Sequence, residues 1–85
     1  MKQFSYSITD SIGLHARPAG QLAKQAKGYE STVTIACGTR SAKLTKLMAV
    51  MAMAVKCGET VTVTVEGGDE EKAAAELEQF FKENV

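Results

Sequence analysis

The segment Thr60–Glu66 alternates threonine with valine, and this alternation constrains the fold more than any other feature of the chain. Side chains two residues apart lie on the same face of a β-strand, so the valines would face a core and the threonines would face solvent. Three further segments alternate in a similar way: residues 4–8, 32–37 and 40–44. The pattern predicts four strands in a sheet with one buried face and one exposed face.

Apolar residues spaced three and four apart predict helices between the strands. The first helix spans Ala16 to Lys27 and ends at Gly28. The second spans Lys46 to Lys56, with Thr45 as its N-cap and its end near Gly58. A glycine thus marks the end of each helix, and a typical N-cap residue precedes the second.

A third helix is predicted to follow Asp69 as its N-cap and to run to the C-terminus, with this apolar stripe: Ala73, Leu77, Phe80 and Phe81. The order of elements is then β-α-β-β-α-β-α. This order predicts a two-layer α+β fold, an open-faced β-sandwich whose four-stranded, largely antiparallel sheet is covered on one face by three helices. With 85 residues and no linker or repeat, we expect a single domain over residues 1–85.

Charge balance and cysteine content exclude several classes of function. Lys plus Arg and Asp plus Glu number 10 each, so a net charge of 0 gives no general attraction to nucleic acid. The longest apolar run, Leu47 to Val55, is shorter than the about 20 residues of a membrane span, and no apolar signal core follows Lys2. Cys37 and Cys57 lack CxxC spacing, and the chain has one histidine. We expect a cytoplasmic protein with reduced thiols, no metal site and no cofactor.

The segment Gly13-Leu14-His15-Ala16-Arg17-Pro18-Ala19 places that histidine at the start of the first predicted helix. A helix N-terminus carries free N–H groups and the positive end of the helix dipole, so it attracts anions. Arg17 adds a charge-assisted donor, and Pro18 suits a first turn because it lacks an N–H.

A neutral imidazole can attack phosphorus near neutral pH and pass the phosphoryl group on, so His15 is a candidate carrier of that group. The alternative is that His15 is an ordinary N-cap or surface residue and Pro18 a routine first-turn residue. The local pattern alone leaves both interpretations open.

The histidine segment resembles the active-site signature of HPr, the histidine-containing phosphocarrier family of the bacterial phosphoenolpyruvate-dependent sugar phosphotransferase system. The chain length, the order of elements, the segment Leu47-Met48-Ala49-Val50-Met51 and the turn Gly67-Gly68-Asp69-Glu70 resemble that family too. The resemblance covers essentially the whole chain. It implies a phosphoryl carrier with a phosphohistidine intermediate rather than a stand-alone enzyme.

The resemblance also implies the partners and the roles of the site residues. His15 would accept a phosphoryl group on Nδ1 from phosphorylated enzyme I and donate it to IIA domains of sugar permeases. The N–H groups of Ala16 and Arg17 would face that group, and the Arg17 side chain would steady it. The carrier would be a monomer that docks alternately on two partners through one face, with no nucleic acid and no membrane insertion involved.

The apolar run at 47–55 predicts a docking surface, because so small a domain cannot enclose a helix on every side. The side that faces the sheet is expected to be Val50, Met53 and Ala54. The docking patch, which faces solvent, is expected to be Leu47, Met48 and Met51. Its rim on the first helix would be Gly20, Lys24 and Lys27. The alternative is that the apolar residues all belong to the core and the lysines are merely solvated.

Lys46 stands where many relatives from Gram-positive bacteria have a phosphorylatable serine. Lysine cannot form a phosphate ester, so HPr kinase/phosphorylase is not expected to act there, and Thr45 is not the matching position. Lys46 would instead place a permanent cation beside the docking patch, or would be an ordinary exposed lysine.

Two other functions stay open from the sequence. One is an HPr-like regulatory protein or a carrier in a dedicated non-sugar phosphoryl relay, although the intact pair of His15 and Arg17 argues against a purely regulatory relative. The other is a general α+β interaction domain without phosphate chemistry, in which His15 would be dispensable.

Overall fold

The computed structural model describes all residues from Met1 to Val85. Its elements follow the predicted order: β1 Lys2–Ser7, α1 Ala16–Lys27, β2 Thr32–Cys37, β3 Arg40–Lys43, α2 Leu47–Ala52, β4 Thr60–Glu66 and α3 Glu70–Asn84. The predicted α+β open-faced sandwich is confirmed. No helix combines the length and the apolar character that crossing a membrane requires.

The sheet has the strand order β1-β4-β2-β3, and every neighbouring pair is antiparallel. Val63 of β4 pairs with Phe4 on one side and with Ile35 on the other, so apolar side chains from adjacent strands share a face. The opposite face carries hydroxyl groups. Ser5 Oγ of β1 and Thr62 Oγ1 of β4 form a hydrogen bond of 3.3 Å on this face. The alternation at 60–66 therefore separates core from solvent as predicted.

The core lies between the sheet and the helices. The three β4 valines have no solvent exposure, and neither have Leu22 of α1 and Leu77 and Phe81 of α3. The Phe81 ring lies 5.8 Å from the ring centroids of Phe4 and Tyr6, so α3 packs its last turns against β1. This packing brings the end of α3 to the side of the molecule where α1 begins.

Helix α2 is shorter than predicted and begins one residue later. It ends at Ala52 instead of Lys56, and its N-cap is Lys46 instead of Thr45. Met53 and Val55 are both buried, at 4% and 3% exposure. In a continued helix, the side chains of residues i and i+2 would point about 200° apart and could not both face the core. The chain leaves the helix through Ala54, which has a positive φ of 52° and is exposed. The prediction that Ala54 faces the sheet is therefore wrong.

Asp69 occupies the predicted N-cap position of α3, but its carboxylate makes no capping hydrogen bond. One oxygen accepts the backbone N–H and the hydroxyl of Ser31, and the other accepts the N–H of Glu30 at 3.0 Å. These bonds lower the pKa of Asp69, with the Ser31 hydroxyl as the largest cause. Asp69 thus connects the start of α3 to the loop before β2.

Candidate functional site

Residues 10–13 form a tight turn that precedes His15 in the chain. The backbone carbonyl of Asp10 accepts the N–H of Gly13 at 2.9 Å, and the side-chain Oδ1 of Asp10 accepts the N–H of Ile12 at 2.9 Å. The Asp10 N–H donates to the carbonyl of Val85 at 2.9 Å, which connects the turn to the end of α3. Three hydrogen bonds therefore fix Asp10 within this loop.

Gly13 lies so close to the segment after α2 that no side chain fits. Its φ is +83°, and a Cβ would lie 2.8 Å from Lys56 Cα and closer still to the Val55 carbonyl oxygen. That same oxygen accepts the N–H of Leu14 at 3.0 Å. The segment after α2 thus fixes the backbone immediately before His15, which explains the glycine in the motif.

His15 is the N-cap of α1, with φ −101° and ψ −177°, and its carbonyl accepts the N–H of Ala19 at 3.0 Å. Its imidazole makes no capping hydrogen bond. The N–H groups of Ala16 and Arg17 belong to the first turn and therefore have no carbonyl partner within the helix. The side chain is 31% exposed, with Nε2 3.6 Å from Oδ2 of Asp10. A partly exposed imidazole therefore lies beside free donors at the positive end of the helix dipole.

The imidazole borders an open polar depression of about 310 Å³. Its lining comes from the loop, the first turns of α1 and the end of α3: Asp10, His15, Arg17, Pro18, Gln21, Glu83 and Asn84. The predicted pair of His15 and Arg17 is brought together here. The sequence analysis did not single out Asp10, and it missed the end of α3, which carries no motif.

Most of the predicted docking residues lie on the exposed surface of the helical layer. Met48 and Met51 are 77% and 38% exposed, as predicted. Leu47 departs from the prediction that it faces solvent, because it is half-buried and packs against the core. Lys24, Lys27 and Lys46 are exposed, and Gly20 is half-buried with open space beside its Cα. Ile12 is 70% exposed in the loop before His15, an apolar surface residue that the sequence reading did not single out.

Arg40 and Glu59 form a connection that the sequence reading also missed. The Arg40 guanidinium donates to the Met53 carbonyl and to Glu59 Oε2, each at 2.6 Å. The other Glu59 oxygen accepts the N–H of Lys56 at 2.8 Å. The pKa of Glu59 is lowered, first by the Lys56 N–H and then by Arg40. This pair holds the segment that contacts Gly13.

Known proteins match the chain over nearly its whole length. The model of the PTS-HPr family, the PTS HPr component phosphorylation site, matches residues 2–83. The phosphocarrier protein HPr of Mycoplasma capricolum is 43% identical over 79 residues, which cover 93% of this chain and 89% of that protein.

Solved structures of similar proteins share the fold of this chain. A histidine-containing phosphocarrier protein of Mycoplasma has a TM-score of 0.91 at 42% identity, covering 93% of this chain and 90% of that one. The catabolite repression protein Crh of Bacillus subtilis, solved as a domain-swapped dimer, has a TM-score of 0.77 at 29% identity, covering 100% and 98%.

The open-faced sandwich with a histidine at the N-terminus of its first helix defines the class of small histidine phosphocarriers, and the chain belongs to the HPr family. It is a phosphocarrier of the phosphotransferase system. The resemblance read from the histidine segment is confirmed.

Proposed function

We propose that His15 accepts a phosphoryl group on Nδ1 from phosphorylated enzyme I and donates it to IIA domains of sugar permeases, with residues 1–85 acting as a single cytoplasmic domain. The observation that carries the proposal is the position of His15. Its imidazole is partly exposed at the uncapped N-terminus of α1, beside the polar depression. A phosphoryl dianion placed there meets donors that need no rearrangement.

The same geometry supports the roles proposed for Ala16 and Arg17. Their N–H groups lack helical partners and face the region where the anion would form. The Arg17 side chain is exposed and lines the depression, so it can donate to the phosphoryl oxygens as the partner's active site closes over them. Transfer then relies on positioning and charge neutralisation shared between carrier and partner.

The docking patch, Leu47, Met48 and Met51, would seat both partners in turn. Methionine is flexible and polarisable, which suits one surface that has to fit unlike proteins. Lys24 and Lys27 are exposed and would steer acidic partners, whereas Gly20 offers only a close backbone approach. We propose a monomer, because alternating use of one face is incompatible with burying that face between copies.

Lys46 is proposed to replace regulation by serine phosphorylation with a permanent cation. It is exposed at the start of α2 and lines a second depression together with Lys27 and Met48. HPr kinase/phosphorylase would find no hydroxyl at this position. A Lys46→Ser variant with unchanged transfer rates and unchanged salt dependence would remove the support for a steering role of this cation.

The direct experiment is incubation with phosphoenolpyruvate, Mg²⁺ and purified enzyme I, followed by intact mass and acid treatment. We expect a gain of one phosphoryl group that acid removes and that His15→Ala abolishes. Enzyme I must be shown active on another HPr in parallel. Under that control, the absence of labelling would contradict the proposal and favour a regulatory protein or a non-sugar relay.

A further inference from the structure

Asp10 presents a fixed carboxylate to the side of the imidazole that the proposed phosphoryl chemistry does not use. Its Oδ2 lies 3.6 Å from His15 Nε2, and the two side chains are 26% and 31% exposed. Its Oδ1 accepts the Ile12 N–H at 2.9 Å, and its own N–H donates to Val85. The carboxylate is therefore oriented by the backbone independently of His15.

We infer that Asp10 is a positioning residue for phosphoryl exchange at His15: it keeps the imidazole proton on Nε2 and stabilises the positive ring formed when Nδ1 binds phosphorus. The inference rests on the proposed function, in which Nδ1 carries the phosphoryl group. A carboxylate facing Nε2 favours an N–H there, which leaves the Nδ1 lone pair free.

Phosphoryl transfer to and from His15 then requires no proton transfer. The Nδ1 lone pair forms the bond to phosphorus while the bond between phosphorus and the donor group of enzyme I breaks, and that electron pair leaves with the donor. His15 becomes a positively charged ring with its proton still on Nε2, opposite Asp10. When the group moves on, the electron pair of the broken N–P bond returns to Nδ1 and the ring is neutral again.

The size of the effect follows from the exposure of the pair. Ion pairs of partly exposed groups are modest and weaken as salt rises. Removing the charge of Asp10 should therefore shift the equilibrium between phosphorylated enzyme I and phosphorylated carrier by about two- to fivefold towards enzyme I. The phosphoryl group on Nδ1 lies on the far side of the ring. Its repulsion from the Asp10 carboxylate therefore acts over a longer distance than the 3.6 Å between that carboxylate and Nε2.

The substitution that isolates the charge is Asp10→Asn, because the amide oxygen can still accept the Ile12 N–H and preserve the turn. Glu66→Gln is the matched control, since it removes one negative charge at the far end of β4. We expect Asp10→Asn to keep the melting temperature of the wild type and to shift the phosphoryl equilibrium, and Glu66→Gln to shift neither. An unshifted equilibrium in Asp10→Asn, or an equal shift in both variants, overturns the inference.

A second measurement needs no variant and no phosphorylation. The measurement is NMR of the ¹⁵N-labelled wild-type protein at about pH 9, where a histidine is neutral. Two-bond ¹H–¹⁵N correlations of the imidazole ring then report which ring nitrogen bears the proton. We expect the proton on Nε2, and a proton on Nδ1 overturns the inference. Failure of the proposed function would appear differently, as a wild-type protein that enzyme I does not label at His15.

Discussion

The Arg40 guanidinium donates to the backbone carbonyl of Met53 at 2.6 Å and so connects the β2–β3 hairpin to the segment that follows α2. Glu59 pairs with the same guanidinium and accepts the Lys56 N–H. Between these two attachments lies Val55, whose carbonyl accepts the N–H of Leu14 next to His15. The hairpin therefore supports the site from a distance, through backbone atoms rather than through side chains at the imidazole.

Arg40→Ala should loosen this support. We expect a lower melting temperature and a rate of phosphorylation by enzyme I reduced by up to about tenfold, because a small misplacement of the reacting group is costly. Lys43→Ala is the control on the same hairpin, since Lys43 is exposed and makes no ion pair. If Arg40→Ala lowers stability while its phosphorylation rate stays that of the wild type, the support does not extend to His15.

Ala54→Gly should stabilise the protein. Ala54 has a φ of 52°, a region that costs an L-residue roughly 1–2 kcal/mol, and glycine removes that cost while losing roughly 0.5–1 kcal/mol to its greater freedom when unfolded. We expect a net gain of about 0.5–1 kcal/mol in the free energy of unfolding, measured in urea.

The matched control for this gain is Ala49→Gly, within α2, where glycine should cost about 1 kcal/mol. Opposite signs at the two alanines would show that the positive φ, and not the residue type, decides the outcome. A loss of stability at both positions would contradict the strain assigned to Ala54.

Asp69 should make stability depend on pH in the acid range. Its pKa is lowered from the ordinary 3.8, so at pH values between the two pKa values the unfolded chain binds a proton that the folded chain does not. The stabilisation is complete above pH 3.8 and is lost as the pH falls through the lower pKa of the folded state. Asp69→Asn should be less stable at neutral pH and should lose less stability on acidification.

Ser31→Ala removes the hydroxyl that is the largest cause of the lowered pKa, so it tests the same link from the other side. We expect its free energy of unfolding to depend less steeply on pH below 3.8 than that of the wild type. An acid-range slope identical to that of the wild type in both variants would refute the contribution of Asp69.

The sequence was sufficient for features that depend on periodicity. The Thr-Val alternation of β4 and the apolar spacing of α1 each reflect one continuous face against one core, so local pattern and tertiary structure coincide. Helix α1 has the predicted bounds, from Ala16 to Lys27, and His15 stands at its start as expected.

The features that were missed depend on contacts distant in sequence. The end of α2 is set by burial of both Met53 and Val55, which no helical pattern contains. The carboxylate of Asp69 binds a loop 38 residues away rather than its own helix. The proximity of Asp10 to His15 results from turn geometry, and a turn-forming residue carries no signal of such a role.

Met48→Glu tests whether the exposed methionines form the docking patch. Met48 is 77% exposed, so the substitution should leave the melting temperature nearly unchanged while it places a charge in an apolar contact. We expect the KM of enzyme I for the carrier to rise by about five- to tenfold. Gln3→Glu adds the same charge on the open face of the sheet, opposite the helices, and should leave the KM unchanged. Equal effects of the two variants would mean that net charge governs docking, and an unchanged KM in Met48→Glu would place the partner contacts elsewhere.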